Sequence, residues 1–158
     1  MLSVFYETMS LQQDIMTAMK TAMKDKDKVA LESLRAVKSA LLLAQTASGA
    51  SGELTEAEEI KLLQKLVKQR KESATIFVEQ GRQDMADEEL AQAKVISQFL
   101  PAQLDEAAIA KVVDEIIAQT GASSMKDMGK VMGMANGKLA GQADGKTISM
   151  IVKDRLSQ

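Results

Sequence analysis

The sequence contains no cysteine, no histidine and no tryptophan, and it has a single proline among its 158 residues. Without cysteine there is no disulfide, no thiolate nucleophile and no zinc–thiolate site, which fits a reducing compartment. Without histidine there is no imidazole base, no Ser-His-Asp triad and no histidine-ligated metal. Any chemistry would have to use carboxylates, lysines, hydroxyls or the backbone. We predict no catalytic residue, no metal site and no cofactor.

The chain also lacks an excess of one charge and a long apolar run. Lys and Arg total 20 and Asp and Glu total 22, so the net charge is −2. Because this balance excludes a polycation, contact with nucleic acid would need a local basic patch. No apolar segment reaches the length of a membrane span, and the N-terminus carries no basic leader. We expect a cytoplasmic protein without a membrane partner, with Met9 as a second candidate start.

Apolar residues at helical spacing are present throughout, and no period-two alternation is long enough for a strand. The segment 46–52, rich in alanine, serine and glycine, is predicted to be a flexible loop. Thr55 and Glu58 form a predicted capping box, and Gly81 is a typical residue for the end of the helix that follows. Four helices are predicted in the N-terminal part: 12–24, 29–44, 55–81 and 84–100.

Pro101 marks a predicted domain boundary, because proline disfavours helix at the residue before it. Beyond it three helices are predicted, with candidate caps at Asp105, Ser124 and Asp144, and Gly121 ends the first of them. The predicted fold class is all-α, in two multihelical parts. The predicted boundaries are a tail at 1–8, a four-helix domain at 9–100 and a three-helix domain at 101–158.

Arg70 stands on the third predicted helix where the apolar stripe of Val67 and Ala74 requires a hydrophobic residue. A buried guanidinium is costly unless it meets an acid or an anion, and its planar fork suits carboxylate or phosphate. One hypothesis is that cations of two helices converge on a phosphate or on a partner's acid: Arg35, Lys38, Lys68, Arg70 and Lys71. The alternative is an internal salt bridge to Glu32 or Glu72, or a stem that extends to solvent.

Glycine recurs every four residues in the sixth predicted helix, at Gly129, Gly133, Gly137 and Gly141. Each costs about 0.8–1.0 kcal/mol relative to alanine inside a helix, so four on one line indicate a close approach to the backbone. A nucleic-acid backbone needs clearance and positive charge. The predicted RNA-binding residues are Lys126, Gly129, Lys130, Gly133, Lys138 and Lys146. The alternative is close packing against a neighbouring helix, with the lysines simply solvated.

Aromatic residues make up only 3% of the chain, and Phe77 and Phe99 occupy apolar helical positions expected in the core. Proteins that read single-stranded RNA stack bases on aromatic side chains. The sequence therefore favours contact with the backbone and shape of a folded RNA.

Six segments resemble the YqeY-like family, and the resemblance extends from about Met9 to Leu156. They are 34–40 (LRAVKSA), 68–73 (KQRKES), 81–84 (GRQD), 99–104 (FLPAQL), 120–133 (TGASSMKDMGKVMG) and 143–146 (ADGK). This family is similar to the tail region of GatB, a subunit of the glutamine-dependent amidotransferase that amidates misacylated tRNA. The resemblance implies an all-helical two-part fold and a C-terminal three-helix module that contacts tRNA. It also implies a carbon–nitrogen ligase activity with glutamine as amido-N-donor.

Our first hypothesis is a tRNA-interacting accessory protein without independent catalysis, because no nucleophile or ATP cradle stands out in the sequence. The alternatives are a component of a carbon–nitrogen ligase that works only with partner subunits, and a helical protein–protein adaptor. The expected partners are tRNA or another structured RNA, together with amidotransferase or aminoacyl-tRNA synthetase subunits.

Overall fold

A computed structural model of the protein describes residues 10–47 and 53–158. These residues form helices and no strand, which confirms the all-α prediction. The α-helices are α1 (Leu11–Asp25), α2 (Lys28–Ala47), α3 (Glu56–Glu79), α4 (Gln83–Ser97), α5 (Glu106–Thr120), α6 (Met128–Lys138) and α7 (Gly145–Leu156), and a 3-10 helix covers Met125–Asp127. Within these two ranges, every helix is too short or too polar to span a lipid bilayer. The predicted tail at 1–8, Met9 and the loop residues 48–52 lie outside the described residues.

Helices α1–α4 form one compact unit that ends at Phe99. The predicted capping box at the start of α3 is confirmed: the Thr55 hydroxyl accepts from the Glu58 N–H at 3.2 Å, and the Glu58 carboxylate accepts from the Thr55 N–H at 3.1 Å. Gly81, with φ 73°, turns the chain from α3 into α4. The apolar stripes of the four helices meet in a core that contains Ile15, Leu34, Val37, Leu41, Leu63, Val67, Ala86, Ala93 and Ile96.

Two predicted helix ends in this unit are wrong by a few residues. Thr46 and Ala47 belong to α2 and not to the loop, and the Thr46 hydroxyl donates to the Leu43 carbonyl oxygen at 2.9 Å within that helix. Helix α4 ends at Ser97, before the predicted Leu100. Proline restricts the backbone of the preceding residue, and here the turn begins ahead of that residue.

Helices α5–α7 form the second unit, which begins at Leu100. Asp105 caps α5 as predicted, because its Oδ1 accepts from the Ala108 N–H at 2.8 Å. Asp144 occupies the N-cap position of α7, but its side chain makes no capping hydrogen bond. The core of this unit contains Ile109, Val113, Ile116, Val131, Ala135, Leu139, Ala143, Ile148, Val152 and Leu156.

The predicted capping box at Ser124 takes a different form. The Asp127 carboxylate accepts from the Ser123 N–H at 3.1 Å, one residue further back than a capping box requires. The Ser124 hydroxyl accepts from the Lys126 N–H at 3.4 Å. This arrangement accompanies the 3-10 turn before α6, where the Met125 side chain is 43% exposed.

The segment before α5 is tied to the turn between α6 and α7. The Gln103 side-chain amide donates to the carbonyl oxygens of Pro101, at 2.8 Å, and Gly141, at 2.6 Å. The Leu104 N–H donates to the Gln142 carbonyl oxygen at 2.9 Å. These bonds fix the end of α6 and the approach to α7.

Candidate nucleic-acid interface

One side of helix α6 packs in the core of the unit. The opposite side carries glycines and therefore exposes the helix backbone. Val131 and Ala135 are fully buried, whereas Gly129, Gly133 and Gly137 are exposed. Since successive residues of an α-helix are about 100° apart, the glycine line lies about 160° from the buried side. The three glycines therefore form the outermost surface of the helix.

The fold itself does not require these three glycines. A Cβ atom added at Gly129, Gly133 or Gly137 would meet nothing within 4 Å, and none of the three has a positive φ. Close packing against a neighbouring helix is thus wrong for this line within its own three-helix unit. Each glycine still costs about 0.8–1.0 kcal/mol of helix stability relative to alanine.

The fourth predicted member of the line, Gly141, is not on α6. The helix ends at Lys138, and Gly141 follows in the turn with φ 77°. Glycine adopts this left-handed conformation without the steric cost that a Cβ would add. Gly141 therefore serves the turn, and the exposed line consists of three glycines.

The four candidate lysines of this unit are all exposed. Lys126 lies in the 3-10 helix, Lys130 and Lys138 lie on α6, and Lys146 lies in the first turn of α7. From the helical spacing, Lys130 is about 60° from the centre of the glycine line, whereas Lys138 is about 140° away on the same side. Asn136, which no sequence pattern indicated as a site residue, is exposed on the other flank at about 60°.

Charge is segregated between the helices of this unit. Helix α6 carries Lys130 and Lys138 and no acidic residue. Helix α5 carries Glu106, Asp114 and Glu115 against the single Lys111. Within their own bounds, α6 therefore carries two positive charges, whereas α5 has two more acidic than basic residues.

The start of α7 follows the turn after α6 and places Lys146 close to the exposed Asp144 carboxylate. The Asp144 side chain makes no capping bond, and both Gly145 and Lys146 are exposed. The first backbone N–H groups of a helix have no intrahelical acceptor, and together with the helix dipole they favour an anion.

Arg70 is held by neutral partners. Its Nε donates to the Gln92 side-chain oxygen and its Nη1 donates to the Leu66 carbonyl oxygen, both at 3.2 Å. The alternative of a salt bridge to Glu32 or Glu72 is wrong, since neither acid pairs with Arg70 in the described structure. Arg70 thereby links α3 to α4 from a half-buried position.

The other predicted anion-binding residues are exposed on the two helices. Arg35 and Lys38 lie on α2, and Lys68 and Lys71 lie on α3. Around α3, Lys68 is about 160° and Lys71 about 100° from Arg70, so the three cations leave this helix in different directions. Convergence of the whole set on one phosphate stays a prediction.

The link from Arg70 to Gln92 leads to a stability prediction. Arg70→Ala should lower the free energy of unfolding by about 1–3 kcal/mol, because the packed stem is lost and the Gln92 amide keeps no partner. Replacing both residues by leucine should stay within about 1 kcal/mol of the natural protein, because two apolar groups need no partner. Urea unfolding followed by circular dichroism measures both. Equal destabilisation by the two variants would contradict the structural role.

Acidic groups do not assemble a metal site in the parts of the chain that the structure describes. The pKa of the Glu59 carboxyl is raised above its ordinary value, first by burial and then by repulsion from Glu56. Both acids lie in the first turn of α3.

The sequence model of the Yqey-like protein family matches residues 12–156. The chain belongs to the YqeY-like family. The matched range begins in α1 and ends at the last residue of α7, so both helical units of this YqeY-like protein lie within the family pattern. A comparison with curated proteins finds no match.

Proposed function

We propose that this YqeY-like protein is an RNA-binding accessory protein that contacts tRNA or another structured RNA through α6. The observation that carries the proposal is the open line of Gly129, Gly133 and Gly137. Neither packing nor backbone conformation explains these glycines, so their cost to helix stability is best explained by a ligand that approaches the backbone.

The proposed contact uses the sugar–phosphate backbone of the RNA. Helix α6 has 11 residues and is therefore about 16 Å long. The bare face lets a ribose edge reach the helix backbone, while Lys130 contacts a phosphate beside it and Lys138, at the end of the helix, extends to a phosphate further round the same flank. Lys126 and Lys146 extend the positive surface beyond the two ends of the helix. Such contacts suit a folded RNA, which is recognised by shape, phosphates and 2′-hydroxyls.

We also propose a second and weaker anion contact on the four-helix unit at Arg35, Lys38, Lys68 and Lys71. The support is their exposure together with the absence of an ion pair to any of them among the described residues. Arg70 contributes to this unit through the link between α3 and α4.

Salt dependence tests the phosphate contacts. We expect the logarithm of the affinity for fluorescently labelled tRNA to fall with the logarithm of salt concentration with a slope of about −2 to −4, since each neutralised phosphate contributes about −0.7 to −0.9. Arg35→Glu with Lys38→Glu should make this slope shallower by about one to two if the second contact exists. Anisotropy titrations at several salt concentrations measure the slope. Affinity that is indifferent to salt would contradict the proposal.

Two other functions are distinguished by reconstitution. An adaptor would hold its protein partner after nuclease treatment, whereas a complex bridged by RNA would fall apart. A ligase component would make amidation of misacylated tRNA by glutamine depend on this chain when amidotransferase or aminoacyl-tRNA synthetase subunits are added. The accessory role predicts RNA binding by the chain alone.

A further inference from the structure

The outer face of α5 forms a shallow groove with α7. The groove is open to solvent, has a volume of about 520 Å³ and is lined by Ala107, Ala110, Lys111, Asp114, Glu115, Ala118 and Arg155. Its α5 residues lie on the side opposite Ile109, Val113 and Ile116, which fill the core of the unit. The groove is therefore separate from the packing that holds the three helices together.

The groove lining combines small side chains with balanced charge. Alanine at three of its positions lets another helix approach closely. Two cations, Lys111 and Arg155, face two acids, Asp114 and Glu115. The Arg155 Nε is 3.6 Å from the Asp114 Oδ1, and the Asp114 side chain remains 52% exposed. Because the lining carries no net charge, the groove does not suit a polyanion, and two copies of it do not repel each other.

The order of these residues along α5 is self-complementary. A second α5 can lie antiparallel to the first across the exposed face. The two helices are then related by a two-fold axis at the level of residues 112 and 113 along the helix. That axis brings two pairs together near the centre of the face, each formed twice: Lys111 with Asp114, and Ala107 with Ala118. Opposite charges then face each other, and the alanines at either end face one another. A two-fold interface requires this self-complementarity, since the same patch is used by both subunits.

We propose that this face of α5 binds a second copy of the chain in an antiparallel, two-fold symmetric dimer. The occupant is another copy because the charge order of the groove complements itself. The dimer is weak, since exposed ion pairs contribute little each. It leaves the glycine line on α6 outside the α5 contact, so it does not depend on the proposed RNA binding.

Charge reversal tests the pairing directly in the full-length chain. Lys111→Asp and Asp114→Lys each place like charges opposite one another twice, and each should weaken self-association by about tenfold or more. An equimolar mixture of the two variants should associate again, because both pairs become complementary between the two different chains. Lys94→Asp on α4 is the control for a single charge change at an exposed position.

Sedimentation equilibrium over a range of protein concentrations, with native mass spectrometry of the mixture, measures the outcome. We expect the natural protein to form a dimer and both groove variants to form weaker dimers. The Lys94→Asp control should associate like the natural protein, and the mixture of the two groove variants should form mixed dimers. A natural protein that stays monomeric at the highest concentrations overturns it. Unchanged dimers of both groove variants, or a mixture that does not form mixed dimers, overturn it as well. Circular dichroism of each variant verifies that the helices are retained.

Discussion

Replacing Gly129, Gly133 and Gly137 together by alanine is expected to raise the free energy of unfolding by about 2–3 kcal/mol. Each alanine gains helix propensity, and its methyl group meets open space in the folded protein. In a unit of this size such a gain corresponds to a rise in melting temperature of about 10 °C or more. Thermal and urea unfolding followed by circular dichroism measure it. A drop in stability would mean that the glycine face contacts another part of the chain.

The same triple variant is expected to bind tRNA more weakly although it is more stable. The three methyl groups occupy the surface that the RNA backbone is proposed to reach, and Gly133→Gln at the centre of the line should cost more than alanine there. Thr17→Ala is a control for a gain in helix propensity at an exposed position of α1, which lies outside the proposed contacts. Unchanged affinity of the stabilised variant would show that the line is not used.

The second large effect is expected from the lysines of α6. Lys130→Glu with Lys138→Glu should lower the affinity for tRNA by about 100-fold at low salt, because two phosphate contacts are replaced by repulsion. The far-ultraviolet circular dichroism should not change, since both side chains are exposed. Anisotropy titration with labelled tRNA measures the loss.

The matched control for this pair lies on α1. Lys20→Glu with Lys24→Glu changes the net charge by the same amount at two exposed positions of the four-helix unit. We expect a loss of only a few-fold, from the general field of the protein. Equal losses for the two pairs would mean that binding follows net charge and not the α6 surface.

The helices could be predicted because their signals are local. The hydroxyl of Thr55 and the carboxylate of Asp105 each reach a backbone amide within one turn, and the apolar stripes repeat over whole helices. The entry to α6 could not be predicted in detail. There Asp127 bonds to Ser123 and not to Ser124, and a shift of one residue converts an α-helical turn into a 3-10 turn.

The sequence indicates which residues belong to the candidate site, but it does not indicate whether they are exposed. A glycine every four residues looks the same in the sequence whether another helix covers the line or solvent does. Only the burial of Val131 and Ala135 on the other side of α6 shows that the line is exposed. Arg70 donates a hydrogen bond to Gln92, which lies 22 residues further along the chain. Gln103 donates to Gly141, which lies 38 residues further along. Such pairs depend on how helices pack, and no local pattern indicates them.

Backbone amide shifts recorded while ¹⁵N-labelled protein is titrated with unlabelled tRNA test the central claim most directly. The RNA surface is proposed to lie on the bare side of α6, so the largest changes should fall on Gly129, Gly133 and Gly137 and on the neighbouring Lys130. The buried Val131 and Ala135 should move less. Changes that are absent throughout, or that concentrate on helices α1–α4 and leave these glycines unmoved, would contradict the account.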